Sequence, residues 1–213
     1  MYSKEEILLT LAPNFISFEG PDGSGKSSQI KILTDQLTSA GKTVVYARVP
    51  GGTPVGSQIR NILLHNKGED PCDRAEIMLF AAAHAQIADK VIRPALKEGK
   101  IVIADRYTDS MICYQGIARG FGEEAIREIA RLATDDLWPC RTVLLDINPK
   151  IGFKRMMRSK DRIEQAGIDF HNKVRRGFLR MANAHPERWV VTDGSHDVET
   201  VADAVWNLIC DQF

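Results

Sequence analysis

The sequence predicts an α/β protein in which a doubly wound, five-stranded parallel sheet is flanked by helices. Short β-type segments alternate with longer helical patterns along the 213 residues, as expected of strands joined by helical crossovers. The predicted strands are also apolar on both faces, which is typical of a parallel sheet covered by helices on each side. Because ligands bind such sheets at the carboxyl ends of the strands, we expect the functional site at that edge.

The patterns predict five strands and eight helices. The strands cover residues 14–19, 43–48, 101–104, 142–147 and 189–192, and the helices cover residues 26–40, 55–66, 73–98, 109–118, 123–134, 149–158, 163–184 and 198–211. Gly41 and Gly99 end two of the helices, and Asn148 followed by Pro149 is the start signal of another. No linker-like segment interrupts the series, so one domain is predicted over residues 1–213. A charge-rich segment at about 154–163 is the predicted short lid.

The composition limits the kinds of partner that this protein binds. Basic and acidic side chains number 28 each, so no overall field favours nucleic acid or a membrane surface, and an anionic ligand must be bound by local basic clusters. The four cysteines are widely spaced and form no C-x-x-C pair, which predicts free thiols in a reducing compartment. The sequence lacks a signal-peptide pattern and a run of about 20 apolar residues, so we predict a cytoplasmic protein that binds no nucleic acid and no membrane.

One segment matches the complete G-x-x-x-x-G-K-[ST] pattern of a phosphate-binding loop. It follows a predicted strand and opens a predicted helix, the setting in which backbone amides and a helix N-terminus bind phosphate. In this pattern Lys26 reaches the β- and γ-phosphates, and the Ser27 hydroxyl binds Mg²⁺. Binding of a nucleoside triphosphate is therefore predicted for Gly20, Pro21, Asp22, Gly23, Ser24, Gly25, Lys26 and Ser27.

Further charged residues lie at the carboxyl ends of the second and third predicted strands. Asp105 follows an apolar strand directly, in the position of a carboxylate that holds Mg²⁺ opposite the loop serine. Arg106 comes next, Arg48 ends the second strand and Arg60 lies in the helix after it. Because guanidinium groups bind phosphate oxygens in pairs, the three arginines predict a second phosphate site. For each residue taken alone, the alternative is a capping or ion-paired side chain.

The predicted lid carries Arg155, Arg158 and Arg162. A lid that closes over a phosphoryl group supplies positive charge in the transition state and excludes water, and three arginines suit that purpose. The alternative is a solvated charged loop.

Two helices carry pairs of side chains that could meet a nucleobase. Phe80 and His84 lie four residues apart on one predicted helix, and Met111 and Gln115 do so on the next, so the members of each pair share a face. An aromatic ring there could stack on a base, and the alternative is that Phe80 belongs to the core.

The motifs together resemble those of bacterial thymidylate kinases over nearly the whole chain. The phosphate loop alone is shared by many families, whereas the ordered set is specific to this one. The matching segments are Phe18-Glu19-Gly20-Pro21-Asp22-Gly23-Ser24-Gly25-Lys26-Ser27, Arg48-Val49-Pro50-Gly51-Gly52-Thr53, Asp105-Arg106-Tyr107, Tyr114-Gln115-Gly116 and Asp161-Arg162-Ile163-Glu164.

The resemblance implies a P-loop kinase fold and a homodimer that transfers the γ-phosphate of ATP to dTMP with Mg²⁺, giving dTDP and ADP. By this resemblance the ATP site extends over the loop to Ser28 and includes Arg155, and the metal ligands are Ser27 and Asp105. The implied catalytic residues are Lys26, Asp105, Arg106, Arg158 and Arg162. The implied acceptor residues are Asp22, Arg48, Arg60, Phe80, His84, Arg106, Met111, Gln115 and Glu164. Phe80 is expected to stack on thymine, and Gln115 to bond its polar edge.

The residue at position 23 separates two subgroups of that family, one of which carries arginine there. Because this chain has Gly23, the resemblance implies that the lid supplies the catalytic arginine, with Arg158 as first choice and Arg162 as second. The turn Asp193-Gly194-Ser195 is expected to flank the adenine.

Three positions depart from the family pattern. Val49 replaces a glutamate, His84 replaces an arginine that reads the thymine carbonyl, and Met111 replaces serine or asparagine. Losing polar base contacts relaxes or redirects base choice, although a histidine N–H can still donate to a carbonyl. The alternatives to a thymidylate kinase are therefore a kinase for another pyrimidine nucleoside monophosphate and a regulator that binds ATP without turnover.

Overall fold

The computed structural model describes residues 11–65, 68–157, 159 and 161–212. Within them, five strands form one parallel sheet in the order β2-β3-β1-β4-β5, which confirms the predicted architecture. The strands are β1 (Leu11–Glu19), β2 (Val44–Arg48), β3 (Ile101–Asp105), β4 (Trp138–Asp146) and β5 (Trp189–Asp193). This order places β1, which leads into the phosphate loop, at the centre of the sheet.

Helices connect the strands and cover both faces of the sheet. They are α1 (Lys26–Ser39), α2 (Pro54–His65), α3 (Asp73–Ile87), α4 (Arg93–Lys97), α5 (Thr108–Met111), α6 (Glu123–Thr134), α7 (Pro149–Arg155), α8 (Ile168–Ala184) and α9 (Val198–Ile209). A π-helical segment, Ala88–Ile92, joins α3 to α4, and a second one, Ile112–Ala118, extends α5. Residues 73–98 and 109–118 therefore run as predicted, apart from the π-helical turns.

The two sides of β1 face different cores because its side chains alternate. Phe15 packs in the core that contains Ile87 and Phe178, on the side of α3 and α8. Ile16 and Phe18 pack in the other core with residues of α1 and α9 such as Leu33 and Val205. Because apolar residues pack on both of its faces, β1 is held in place up to Glu19, the residue before the phosphate loop.

The predicted helix over residues 163–184 is wrong at its start, since α8 begins only at Ile168. The Asp161 carboxylate accepts the N–H groups of Ile163 and Glu164 at 3.0 Å each, and these bonds hold a turn. Gly167, with φ +84°, then turns the chain into α8. The helix predicted over 149–158 ends at Arg155, and its last predicted residue, Arg158, lies outside the described residues.

All four cysteines lie within the described residues. Cys72, Cys113, Cys140 and Cys210 are all free thiols, as predicted. Across the part of the chain that the structure describes, no helix has the length and apolar character needed to cross a membrane. The prediction that residues 1–213 form one domain, and that residues 154–163 form a lid, stays a prediction.

Candidate active site

The phosphate loop lies between β1 and α1, at the carboxyl edge of the sheet. Gly20, Gly23 and Gly25 have φ values of +139°, +74° and +94°, which residues other than glycine rarely adopt. This backbone turns sharply into α1, which begins at Lys26. The strand, loop and helix are therefore arranged as phosphate binding by backbone amides requires.

Lys26 is buried beneath this loop. Its ammonium group donates to the carbonyl oxygens of Gly20 and Pro21, each at 3.0 Å. Burial and the nearby charge of Arg106 lower the pKa of Lys26 to about 8, although the neighbouring carboxylates raise it. A phosphate group placed in the loop would oppose that shift, because a dianion next to the ammonium group favours its charged form.

Ser27 and Asp105, the two predicted metal ligands, lie in contact beside Lys26. The Ser27 hydroxyl donates to Asp105 Oδ2 at 3.4 Å, and the Tyr46 hydroxyl donates to the same oxygen at 3.1 Å. Hydroxyl and carboxylate oxygens are hard ligands that suit Mg²⁺. Among the described residues, no cluster of three histidine, cysteine or acidic side chains could hold a metal.

Arg106 connects the third strand to the phosphate loop. Its guanidinium donates to Asp22 Oδ1 at 2.6 Å and to Ser110 Oγ at 3.0 Å, and it lies 5.1 Å from the centre of the Tyr114 ring. Tyr114 also donates to Asp22, at 3.3 Å. Burial on its own raises the pKa of Asp22, but Arg106 and Lys26 hold it below its usual range. The site therefore keeps both partners charged at neutral pH.

A cleft opens beside Arg106. It is lined by polar residues at the ends of β2 and β3 and by less polar residues from α3 and the π-helical segment after α5. The structure brings together there all of the predicted acceptor residues, namely Asp22, Arg48, Arg60, Phe80, His84, Arg106, Met111, Gln115 and Glu164. Asp105 lines the same cleft, and Arg48 Nε lies 3.9 Å from its carboxylate.

His84 uses its N–H within its own helix. Nδ1 lies 2.7 Å from the carbonyl oxygen of Phe80, which can only accept, so Nδ1 carries the proton. Burial lowers the pKa of His84, although hydrogen bonds with the backbone groups of Phe80 and Tyr107 raise it. The ring is therefore neutral at pH 7. The N–H that could serve a base carbonyl is therefore directed at Phe80 in this structure.

Glu76 is a buried residue of this site that the sequence patterns did not reveal. Its carboxylate accepts from Gln115 Nε2 at 3.0 Å and from Arg119 Nε at 2.8 Å, and it also pairs with Arg162. Burial on its own raises the pKa of Glu76, but hydrogen bonds from Gln115 and Arg162 hold it below its usual range. The only signal in the sequence was its position four residues before Phe80 on the same helix.

The lid arginines are placed apart from one another. Arg162, the second choice for the catalytic arginine, donates to the Leu63 carbonyl at 2.9 Å as well as to Glu76. Arg155 donates to the carbonyls of Gly194 and Ser195 at 2.6 and 2.7 Å, at the turn expected to flank adenine. Arg158, the first choice, lies outside the described residues, and its role stays a prediction.

The phosphate loop and α7 touch through two glycines. A Cβ atom on Gly23 would lie 2.1 Å from the carbonyl oxygen of Gly152 in α7, and one on Gly152 would lie 2.2 Å from the carbonyl oxygen of Asp22. Position 23 therefore has no room for the arginine that one family subgroup carries there. The predicted lid starts at about residue 154, at the end of α7. The contact between Gly23 and Gly152 therefore places the start of the predicted lid next to the phosphate loop.

The fold and the site together define a class of protein. A parallel sheet whose central strand leads through a glycine-rich loop and a buried lysine into a helix defines a P-loop kinase fold. The family model for thymidylate kinase matches residues 18–205. The chain belongs to the thymidylate kinase family.

Individual relatives agree with this assignment. The thymidylate kinase of Bifidobacterium longum (strain DJO10A) is 45% identical over 198 residues, covering 92% of this chain and 94% of the relative. The thymidylate kinase of Deinococcus radiodurans is 40% identical over 201 residues, covering 93% of this chain and 97% of the relative. The crystal structure of thymidylate kinase from Ehrlichia chaffeensis is 31% identical, with a TM-score of 0.77, and the match covers 92% of this chain and 97% of that one.

The glycine contact predicts a specific loss of nucleotide affinity. Gly23→Ala is expected to weaken ADP binding by about 10- to 100-fold, because both backbone strain and a collision with Gly152 displace the loop. Gly25→Ala is the matched control, since Gly25 has a similar φ of +94° but no atom within 4 Å of its Cβ position. Titration calorimetry with ADP measures both variants, and equal losses would contradict a role for the Gly152 contact.

A buried carboxyl group below the site predicts a pH dependence of stability. Burial, together with Asp109, raises the pKa of Glu19 from 4.5 to about 8. The folded protein therefore keeps a proton that the unfolded chain has lost, and the contribution of Glu19 to stability declines as pH rises from about 4.5 to about 8. Glu19→Gln removes this titration, so the stability of the wild type relative to the variant should fall over that range. Urea unfolding at pH 5, 6, 7 and 8 tests this, and a constant difference would contradict it.

Proposed function

We propose that this chain transfers the γ-phosphate of ATP to dTMP, giving dTDP and ADP, with Mg²⁺ as the metal. The observation that carries the proposal is the meeting of two phosphate-binding groups at one sheet edge. Lys26 and its loop form one group, and the arginines of the cleft form the other. The ion pair between Asp22 of the loop and Arg106 of the cleft, at 2.6 Å, joins the two.

On the donor side, Lys26 and the loop amides bind the β- and γ-phosphates of ATP. Ser27 and Asp105 would hold Mg²⁺, which neutralises charge that develops on the phosphates. Tyr46, which donates to Asp105, orients that carboxylate. Arg155 holds the turn at Gly194 and Ser195, beside which we place the adenine.

On the acceptor side, Arg48, Arg60 and Arg106 bind the phosphate of dTMP. An oxygen of that phosphate attacks the γ-phosphorus atom of ATP while the bond from this atom to the β-phosphate bridging oxygen breaks, and ADP leaves with the electron pair. The arginines align the attacking oxygen and reduce the repulsion between two anionic substrates. We assign to Arg158 the positive charge that the lid supplies in the transition state, because Gly23 leaves the phosphate loop without an arginine. We place Arg162 and Glu164 at the edge of the acceptor cleft.

The base contacts follow from the buried carboxylate of Glu76. An ionised carboxylate can only accept, so Gln115 must direct its NH₂ group to Glu76, which leaves its oxygen for a ligand. That oxygen can accept the N3–H of thymine. Phe80 supplies the stacking surface, and Met111 supplies apolar contact where a polar residue was expected from the family.

A kinase for another pyrimidine nucleotide is the second candidate. The side chains of His84 and Met111 favour it, because His84 directs its N–H at Phe80 and Met111 has no hydrogen-bond donor. Neither therefore offers the donor to a thymine carbonyl that the family pattern supplies. A homodimer and a cytoplasmic location remain predictions from the sequence.

An ADP-release assay with separate acceptors tests the proposal. We expect dTMP to give the highest kcat/KM, followed by dUMP, with dCMP, 5-methyl-dCMP, UMP and CMP far lower. 5-Methyl-dCMP keeps the methyl group of thymine, but its ring atom N3 carries no hydrogen that could be donated to the Gln115 oxygen. A profile led by another base would contradict the dTMP assignment. If no acceptor led to ADP release, the result would favour a regulator that binds ATP without turnover.

The base contact predicts the effect of one substitution. Gln115→Leu should lower kcat/KM for dTMP by about 10- to 100-fold, because an unpaired group in a buried site costs about 1–3 kcal/mol. The matched control is Gln36→Leu on the exposed face of α1, for which we expect no change. An equal loss for dTMP and 3-methyl-dTMP, which lacks the N3–H, would contradict the proposed contact.

A further inference from the structure

Glu19 is a buried acidic residue for which the proposed function has no use. It ends β1, directly before the phosphate loop, and its side chain is 0% exposed. One carboxyl oxygen accepts the backbone N–H of Tyr107 at 2.7 Å, and the other is bonded to the Ser110 hydroxyl at 2.5 Å. Both partners lie just after Arg106, so Glu19 holds the segment that carries this arginine.

Arg106 has a backbone conformation that needs such support. Its φ is +67°, in the left-handed region that residues with a side chain rarely adopt. The N–H of Arg106 donates to the Phe18 carbonyl at 3.1 Å, and the next N–H, of Tyr107, donates to Glu19. The last two residues of β1 thus fix both amide groups at this strained position.

The side chain of Arg106 is held by the same group. Ser110 Oγ, which is bonded to Glu19, accepts from Arg106 at 3.0 Å, and the other guanidinium nitrogen reaches Asp22 at 2.6 Å. A closed ring of contacts therefore runs from Glu19 through Ser110 and Arg106 to Asp22, and returns along the chain through Gly20. Every link lies at the boundary between the donor loop and the acceptor cleft.

We propose that Glu19 is a positioning residue that sets the Arg106 guanidinium relative to the phosphate loop. This inference rests on the proposed function, in which Arg106 binds the acceptor phosphate. Because Glu19 is the residue before Gly20, the same strand end carries the donor loop and holds the acceptor arginine. The distance between the two phosphates is thereby fixed before either substrate binds, which is the preorganisation that phosphoryl transfer requires.

The hydrogen bonds, rather than the charge of Glu19, perform this positioning. Burial keeps the Glu19 carboxyl group protonated at neutral pH, with a pKa of about 8. A glutamine in its place can still accept the Tyr107 N–H through its oxygen and can donate to Ser110 through its NH₂ group. The Ser110 oxygen has a second lone pair for Arg106. Glutamine should therefore preserve the ring, whereas alanine removes its link to Ser110 and also the bond from the Tyr107 N–H.

The test compares three variants with the wild type under ADP-release kinetics. Glu19→Ala should raise the KM for dTMP by about 10- to 100-fold, since a misplaced binding group can cost about 100-fold, while the Kd for ADP changes by less than about threefold. Glu19→Gln should leave both constants within about threefold of the wild type. Cys140→Ala is the control for removing a contact to β1, because the Cys140 thiol donates to the carbonyl oxygen of Phe15, four residues before Glu19, at 3.2 Å. It should change neither constant.

If Glu19→Ala does not fold, Ser110→Ala tests the same ring, since it removes the bonds of the Ser110 hydroxyl to Glu19 and to Arg106 but keeps the bond from the Tyr107 N–H to Glu19. A raised dTMP KM is expected there too. Equal shifts for dTMP and ADP, an unchanged dTMP KM in Glu19→Ala, or failure of Glu19→Gln to restore it would overturn the proposal. Failure of the proposed function would appear separately, as a wild type that does not phosphorylate dTMP. The same comparison would then be made with the monophosphate that the wild type uses.

Discussion

The ion pair between Asp22 and Arg106 is the contact on which the site depends. Asp22 belongs to the loop after β1, and Arg106 follows β3, the neighbouring strand in the sheet. Parallel strands end at the same edge, so residues far apart in sequence meet there without a long connection. The pair joins the phosphate loop to the cleft, and Lys26 and Asp105 lie beside it. If β1 did not pair with β3, Asp22 and Lys26 would be separated from Asp105 and Arg106.

This concentration of buried charge is tolerable because each group has a partner. Burial lowers the pKa of Lys26 and raises that of Glu19, in each case toward the neutral form, whereas Asp22 stays ionised beside Arg106. An unpaired charge in such a place would cost several kcal/mol. A phosphate group entering the cleft meets arginines already held in position, so little of its binding energy is spent on ordering them. The same electrostatic arrangement thus stabilises the fold and, on the proposed function, suits anionic substrates.

The sequence predicted those features that local patterns determine. The phosphate loop, the five strands and the helix after Pro149 each have a signature within about ten residues, and all are present. The start of α8 was wrong, because the Asp161 side chain holds a turn that the helical pattern of residues 163–167 does not reveal. Glu76 escaped prediction because its partners lie 39 to 86 residues away, and such contacts leave no periodic signal. Glu19 was part of a recognised motif, but its contact with Ser110 depends on the pairing of β1 with β3.

The central claim is that one sheet edge holds a donor phosphate site and an acceptor phosphate site at a fixed distance. The most direct measurement is titration calorimetry with a bisubstrate ligand in which adenosine and thymidine are joined through five phosphates. We expect one molecule to bind each chain, more tightly than ADP or dTMP alone, and to exclude both of them. Binding no tighter than that of ADP, with dTMP still able to bind, would show that the two sites do not face each other and would contradict the account.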